Sequence, residues 1–312
     1  MSSPVLIFDR RAVRRHRDRA ARRLTAHDFL FREAASRLAE RLDDVRRTFP
    51  RALELGAHGG ILANELADRA GIETLVRCDV SAQMLRAGSG KKTGRCGAAV
   101  VSDEEYLPFA PATFDLIISC LSLHWVNDLP GALIQARRCL KPDGLFLAAM
   151  FGSDTLVELR RALIEAELAE SGGAGPRISP FTDLRDAGAL LQRAGFALPV
   201  VDTDSITVSY RSALDLMRDL RGMGEANAAV ERRRSFTRRS TILRAAAIYA
   251  DSHADSSHRI PATFQIVTLT GWAPDLAQQR PLRPGSAVHR LAAVLDSREF
   301  SLGEKAAPGR RS

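Results

Sequence analysis

The chain has 312 residues, 45% of them hydrophobic, with 45 Lys and Arg against 37 Asp and Glu and a formal net charge of +8. Such a length holds one large domain or a domain with an elaboration, and the hydrophobic fraction is ordinary for a globular protein. The basic balance admits nucleic acid, anionic lipid or an acidic protein as a partner and by itself selects none of them.

Cys78, Cys96, Cys120 and Cys139 show no CxxC spacing and no structural zinc pattern, so reduced, mostly buried thiols are expected. No apolar stretch reaches 18 residues, which argues against a membrane-spanning helix. Pro4–Phe8 is too short for a signal peptide, and the arginine-rich stretch after it is interrupted by Asp18. A cytoplasmic location follows, peripheral at the inner membrane at most.

In chain order, segment 9–47 has helical periodicity through Phe29, Leu30, Ala34, Leu38 and Leu42. It is expected to pack on the domain or to cover a cleft. Strands are expected at Arg51–Leu55, Glu73–Cys78, Ala98–Val101, Phe114–Ser119 and Leu145–Phe151. Helices are expected between them at Gly60–Ala70, Ala82–Ala87 and Leu129–Cys139. This alternation predicts βαβ units and a mainly parallel sheet with helices on both faces. Lys141, Pro142, Asp143 and Gly144 read as the turn between helix and strand. Beyond Phe151 a helix is expected over Asp154–Glu170, with Leu156, Leu159, Leu163 and Ile164 as its apolar stripe. A Gly/Pro-rich loop (Ser171–Pro180), a helix (Asp183–Ala194), strand material (Phe196–Val208), a helical segment 212–253 and a strand (Ala262–Thr270) follow. The domain division is a helical segment 1–48, a core 49–275 and an extension 276–312 with a poorly ordered end.

The stretch Glu54-Leu55-Gly56-Ala57-His58-Gly59-Gly60 reads as a strand end, a glycine turn and a helix start, the place where α/β proteins receive nucleotide-like ligands. Glu54, Asp79 and Asp103 stand at three successive strand ends. Carboxylates there suit ribose hydroxyls, an adenine amino group and a ligand ammonium, and would repel a pyrophosphate. That favours S-adenosylmethionine over a dinucleotide, and His58 and Ile61 also break a dinucleotide glycine pattern. Ser81 is expected to cap the next helix. Glu104 and Glu105 read as rim charges, either of which could replace Asp103. The expected cofactor set is Glu54, Gly56, His58, Gly60, Asp79, Val80, Met84, Asp103, Glu104 and Leu121.

These residues resemble the class I, Rossmann-like S-adenosylmethionine-dependent methyltransferases, whose first motif has a glycine where His58 stands. The resemblance implies a seven-stranded sheet. Over nearly the whole chain, Phe8-Asp9-Arg10, Ser122 through Pro130, Phe151-Gly152 with Asp154-Thr155-Leu156, Leu220 through Gly224 and Leu269 through Pro274 resemble the mitochondrial complex I assembly factor 5 family and its bacterial relatives. The malonyl-carrier-protein methyltransferases of biotin synthesis are also similar. The resemblance implies methyl transfer to an unidentified acceptor, in complex I assembly. Its alternatives are arginine hydroxylation of an iron–sulfur subunit of complex I and a non-catalytic assembly factor. It implies a protein acceptor, or a small or carrier-bound one, and a mitochondrial matrix location for a eukaryotic source.

His124 follows the fourth strand, where a transferred methyl would point. It reads as a general base, a cleft-shaping or cofactor-binding residue, or a packing histidine. Trp125 reads as packing on cofactor or substrate, and Asn127 and Asp128 as helix caps, with Asp128 a less favoured catalytic acid. His253, Asp255 and His258 have the local spacing of a metal pair but read first as a polar helix end, and no metal is expected. The arginines of 218–244 read as a solvated helix face, then as a docking surface for an acidic protein or lipid. Nucleic acid is disfavoured because no aromatic residues alternate with the arginines. Gly222-Met223-Gly224 reads as a lid turn.

Overall fold

A computed structural model of the chain describes residues 6–88, 96–179, 184–278, 292 and 295–298. The chain divides at Asp275, and the unit Leu276–Ser312 lies almost wholly outside the described residues, as does the expected disorder of its end.

The strands are β1 (Arg51–Leu55), β2 (Thr74–Asp79), β3 (Cys96–Val101), β4 (Phe114–Cys120), β5 (Leu140–Phe151), β6 (Ala197–Tyr210) and β7 (Ile260–Trp272). They form one seven-stranded sheet in the order β3-β2-β1-β4-β5-β7-β6. The pairs from β3 to β5 are parallel, while β7 runs antiparallel to both β5 and β6. The strand order reverses between β1 and β4, and the crevice outside their carboxyl ends is where such a sheet receives ligands.

Alternate residues of the central strands serve two cores, as the two-residue period of a pleated strand requires. Ala52, Leu116, Ile118, Leu145 and Leu147 pack under α2 (Phe29–Asp43), α3 (Ile61–Glu65) and α6 (Val157–Ser171). Leu53, Leu55, Ile117, Phe146 and Ala148 pack under α5 (Leu129–Cys139) and α7 (Leu184–Arg193). Caps follow from sequence. The Ser81 hydroxyl accepts from the Met84 amide at the start of α4 (Ala82–Ala87), and Asp128 accepts from the Gly131 amide at the start of α5. Asn127 does not cap; its Oδ1 accepts from the amides of Ile7 and Phe8.

Four expectations are corrected. Segment 9–47 is two helices, α1 (Arg10–Ala20) and α2, separated by the short turn Leu24–Ala26. Segment 212–253 is also two, α8 (Ala213–Met223), which Gly224 ends at φ 90°, and α9 (Arg239–His253). Arg232, Arg233 and Arg234 therefore lie between helices, not on a helix face. Lys141 through Gly144 do not separate α5 from a strand. They bulge within β5, whose pairing with β4 steps from Phe114↔Leu140 to Leu116↔Leu145 around Asp143 at φ 58°. Helix α3 stops at Glu65, before Asp68 and Ala70 adopt positive φ. The acidic middle of β6 is paired to α2, with Arg41 bound to Asp202 and Arg37 to Asp204.

Helix α1 crosses the carboxyl ends of the strands. Asp9 caps it by accepting from the Ala12 amide, and also accepts from Arg232. Phe8 packs edge-on against Trp125, with ring centres 5.4 Å apart. Gly222 and Gly224 let α8 approach: a Cβ at Gly222 would lie 2.3 Å from the His27 ring, and one at Gly224 would lie 3.3 Å from Ala20. Met223 is fully buried, so this segment is a packed joint rather than the expected lid turn.

Candidate functional site

The turn after β1 adopts the left-handed backbone that its glycines permit, with φ of 75° at Gly56, 71° at Gly59 and 73° at Gly60. A Cβ at Gly56 would fall 2.2 Å from the Ser122 side chain. His58 itself has φ 34° and folds inward. Its ring stacks on Phe31 at 4.5 Å, and its Nε2 lies 3.1 Å from the Leu121 carbonyl. Burial, and then the Arg17 charge, push its pKa well down, so the ring is neutral and donates from Nε2. Met84 and Leu121 are core residues, and Val80 is half-buried.

Glu54 does not reach the crevice. It shares the sheet face of Ala52 and is fully buried, and neither carboxyl oxygen has a hydrogen-bond partner among the described residues. Burial pushes its pKa up to about 8, against the pull of nearby Arg77.

The other acids are brought together, but around arginines of α1. Arg17, fully buried, donates from Nη1 to Glu104 Oε1 at 3.0 Å and to Asp79 Oδ1 at 3.4 Å, and from Nη2 to Ser122 Oγ at 2.8 Å. Arg10 donates to both oxygens of Asp103, to Glu104 and to the Trp125 carbonyl. Asp79 also accepts from the amides of Ser81 and His58. Glu104 is thus no rim charge. Although burial would raise its pKa, Arg10 and Arg17 hold it well below the carboxylate range. Burial and the Glu104 charge shift Asp79 up, against the pull of Arg17. Glu105 is half-buried and accepts from the Asn127 amide and side chain.

The residues around this crevice supply part of what S-adenosylmethionine needs: a left-handed glycine turn and carboxylates at the ends of β2 and β3. The Arg17 guanidinium joins Asp79, Glu104 and Ser122 across the mouth of the switch point, so these carboxylates are paired with α1 rather than open to a ligand while α1 is docked this way. Arg10 and Arg17 were absent from the expected site. The available signal was their seven-residue spacing, which puts both on one face of a helix lying near the strand ends.

The second cluster surrounds His124, which lies in the short turn Leu123–Trp125 after β4. Its side chain is fully enclosed, with Nε2 3.0 Å from Glu225 Oε2. The same oxygen accepts from the Trp125 indole N–H at 2.8 Å. Glu225 follows Gly224 at the end of α8, and its side chain is 4% exposed. Sequence reasoning missed it, since nothing near residue 225 marks a partner a hundred residues away. Trp125 and Glu225 line a cavity of about 210 Å³ whose remaining wall includes Leu159, Leu163, Met217 and Ile242. His253 ends α9 and His258 lies in the turn before β7. Among the described residues, no three His, Cys, Asp or Glu side chains group so as to hold a metal ion.

Residues 53–148 match the model of a methyltransferase domain. The arginine-hydroxylase NDUFAF5 of Danio rerio, named as mitochondrial, is 46% identical over 284 residues, which is 90% of this chain and 87% of that protein. The chain belongs to the NDUFAF5 family. The malonyl-[acyl-carrier protein] O-methyltransferase of Laribacter hongkongensis is 34% identical, over 89% of this chain and 94% of that one. The YcgJ protein of Bacillus subtilis shares the fold, with a TM-score of 0.54 at 15% identity over 78% of this chain and 99% of that chain. The NDUFAF5 family member described here thus has a class I S-adenosylmethionine methyltransferase fold. Among its described residues no helix is long and apolar enough to cross a membrane.

Proposed function

We propose that this chain hydroxylates an arginine side chain of a protein, a subunit of respiratory complex I being the acceptor that the family resemblance points to. The observation that carries the proposal is the 46% identity to a protein named arginine-hydroxylase across 90% of the chain. A match of that extent cannot omit the segment 156–242 that supplies most of the cavity wall. The pairing of Arg17 with Asp79 and Glu104 supports the same order of preference, because two of the carboxylates expected to hold a methyl donor are engaged by the chain itself.

The second reading is S-adenosylmethionine-dependent methylation of the acceptor, favoured by the left-handed turn at Gly56 and Gly60. The experiment incubates the protein with isolated complex I subunits, dioxygen, a reductant and S-adenosylmethionine, and measures peptide masses. Hydroxylation adds one oxygen to an arginine-containing peptide. A gain of one methylene instead supports methylation, and no gain supports a non-catalytic assembly role.

A further inference from the structure

We infer that Glu225 is the anchor for the acceptor's guanidinium, and that the cavity beside it receives an arginine side chain presented by the partner protein. This rests on the reading of the chain as an arginine-modifying enzyme and adds the residue that selects the substrate.

Glu225 carries a buried carboxylate with uneven partners. Oε2 accepts from both His124 and Trp125, whereas Oε1 is buried and has no hydrogen-bond partner among the described residues. A desolvated acceptor left unpaired is costly, and a ligand donor arriving from the cavity would remove that cost. The cavity is largely apolar, with leucine, isoleucine and methionine side chains along its length and Glu225 in its wall. That combination suits a side chain with a methylene stem and a cationic, donor-rich head. Trp125 in the same wall favours guanidinium over ammonium, because a planar guanidinium stacks on an aromatic face while an N–H reaches the carboxylate.

The surrounding cations leave Glu225 available. Arg177, also in the wall, is held by Glu167 and Thr237. Arg17 directs its Nη groups to Asp79, Glu104 and Ser122; its charge attracts Glu225 but makes no hydrogen bond to it. Arg221 is exposed and shared with a separate basic cleft formed with Arg19, Arg22 and Arg23, where solvent screens it. His16, whose nearest polar partner is the Ala226 carbonyl, has its pKa pushed down to about 4, chiefly by burial, and adds no charge near neutrality.

The test titrates the full chain with Nα-acetyl-arginine N-methylamide and with its citrulline and lysine counterparts, followed by calorimetry. Citrulline keeps the shape and loses the charge. The arginine compound is expected to bind at least about tenfold more tightly than either, as a lost charged hydrogen bond implies. Glu225→Gln should erase that preference, and Ile242→Trp, which places a larger side chain in the cavity wall, should abolish binding. Equal binding of arginine and citrulline by the unaltered protein overturns the inference without any variant, as does an absence of saturable arginine binding. Retained preference in Glu225→Gln overturns it as well. The outcome separates from the hydroxylase reading. Glu225-dependent arginine binding with no oxygen added to complex I subunits leaves the site and removes the reaction. Hydroxylation by Glu225→Gln with an unchanged KM does the reverse.

Discussion

Arg17 Nη1 lies 3.0 Å from Glu104 Oε1, and both side chains are fully buried at the carboxyl end of the sheet. The pair fastens α1 to the strand ends. Arg17→Ala leaves buried Asp79 without its cation and Glu104 with Arg10 alone, and should cost about 3–5 kcal/mol in stability, measured by urea denaturation. The same variant frees Asp79 from the guanidinium. S-adenosylhomocysteine should therefore raise the melting temperature of Arg17→Ala more than that of the unaltered protein. A smaller rise in the variant would contradict the competition between the guanidinium and the ligand.

Glu54 sets a pH dependence of known sign. Its pKa is about 8 in the folded chain and near 4.5 when unfolded, so the folded state binds the extra proton between these values. Its contribution therefore falls as pH rises from about 4.5 to about 8, by at most about 1.4 kcal/mol per pH unit, and is level outside that window. Subtracting the stability-versus-pH curve of Glu54→Gln from that of the unaltered protein should give this slope. A flat difference would show that Glu54 is ionised throughout.

The glycine turn predicts an order of damage. Gly56→Ala meets both a positive φ and the Ser122 side chain at 2.2 Å, whereas Gly60→Ala meets a positive φ and a nearest atom at 3.3 Å. Each should lose about 1–3 kcal/mol from backbone strain, with Gly56→Ala the worse of the two. Denaturation midpoints of the two variants check the order.

His124 is enclosed against Glu225 and is absent from the cavity lining, and the role proposed for it is to hold the carboxylate in place. His124→Ala should raise the KM for the acceptor severalfold and change kcat little. A collapse of kcat with KM unchanged would instead assign His124 as the base.

What the sequence disclosed, and what it hid, follows from how local each signal is. The strands from β1 to β4 and the caps Ser81 and Asp128 rest on alternation and on side chains bonding a few residues away, and these appear as expected. The antiparallel entry of β7 between β5 and β6 involves partners more than a hundred residues apart from β5 and has no local mark. Glu54 stands near the end of β1, where its acid is expected, but faces the core, as its parity with Ala52 dictates. Arg17 stands among arginines at 10, 11, 14, 15 and 19, and composition cannot tell which of them is buried. Glu104 and Glu105 read as solvated neighbours of Asp103 because the arginine that pairs with Glu104 and the asparagine that donates to Glu105 come from distant segments.

The most direct measurement supplies complex I subunits, dioxygen and a reductant together with S-adenosylmethionine carrying a trideuterated methyl group, and reads the modified peptide by tandem mass spectrometry. An arginine bearing one added oxygen and no deuterium is the predicted product. A deuterated methyl group on the acceptor, with no added oxygen, would contradict hydroxylation and establish methyl transfer in its place.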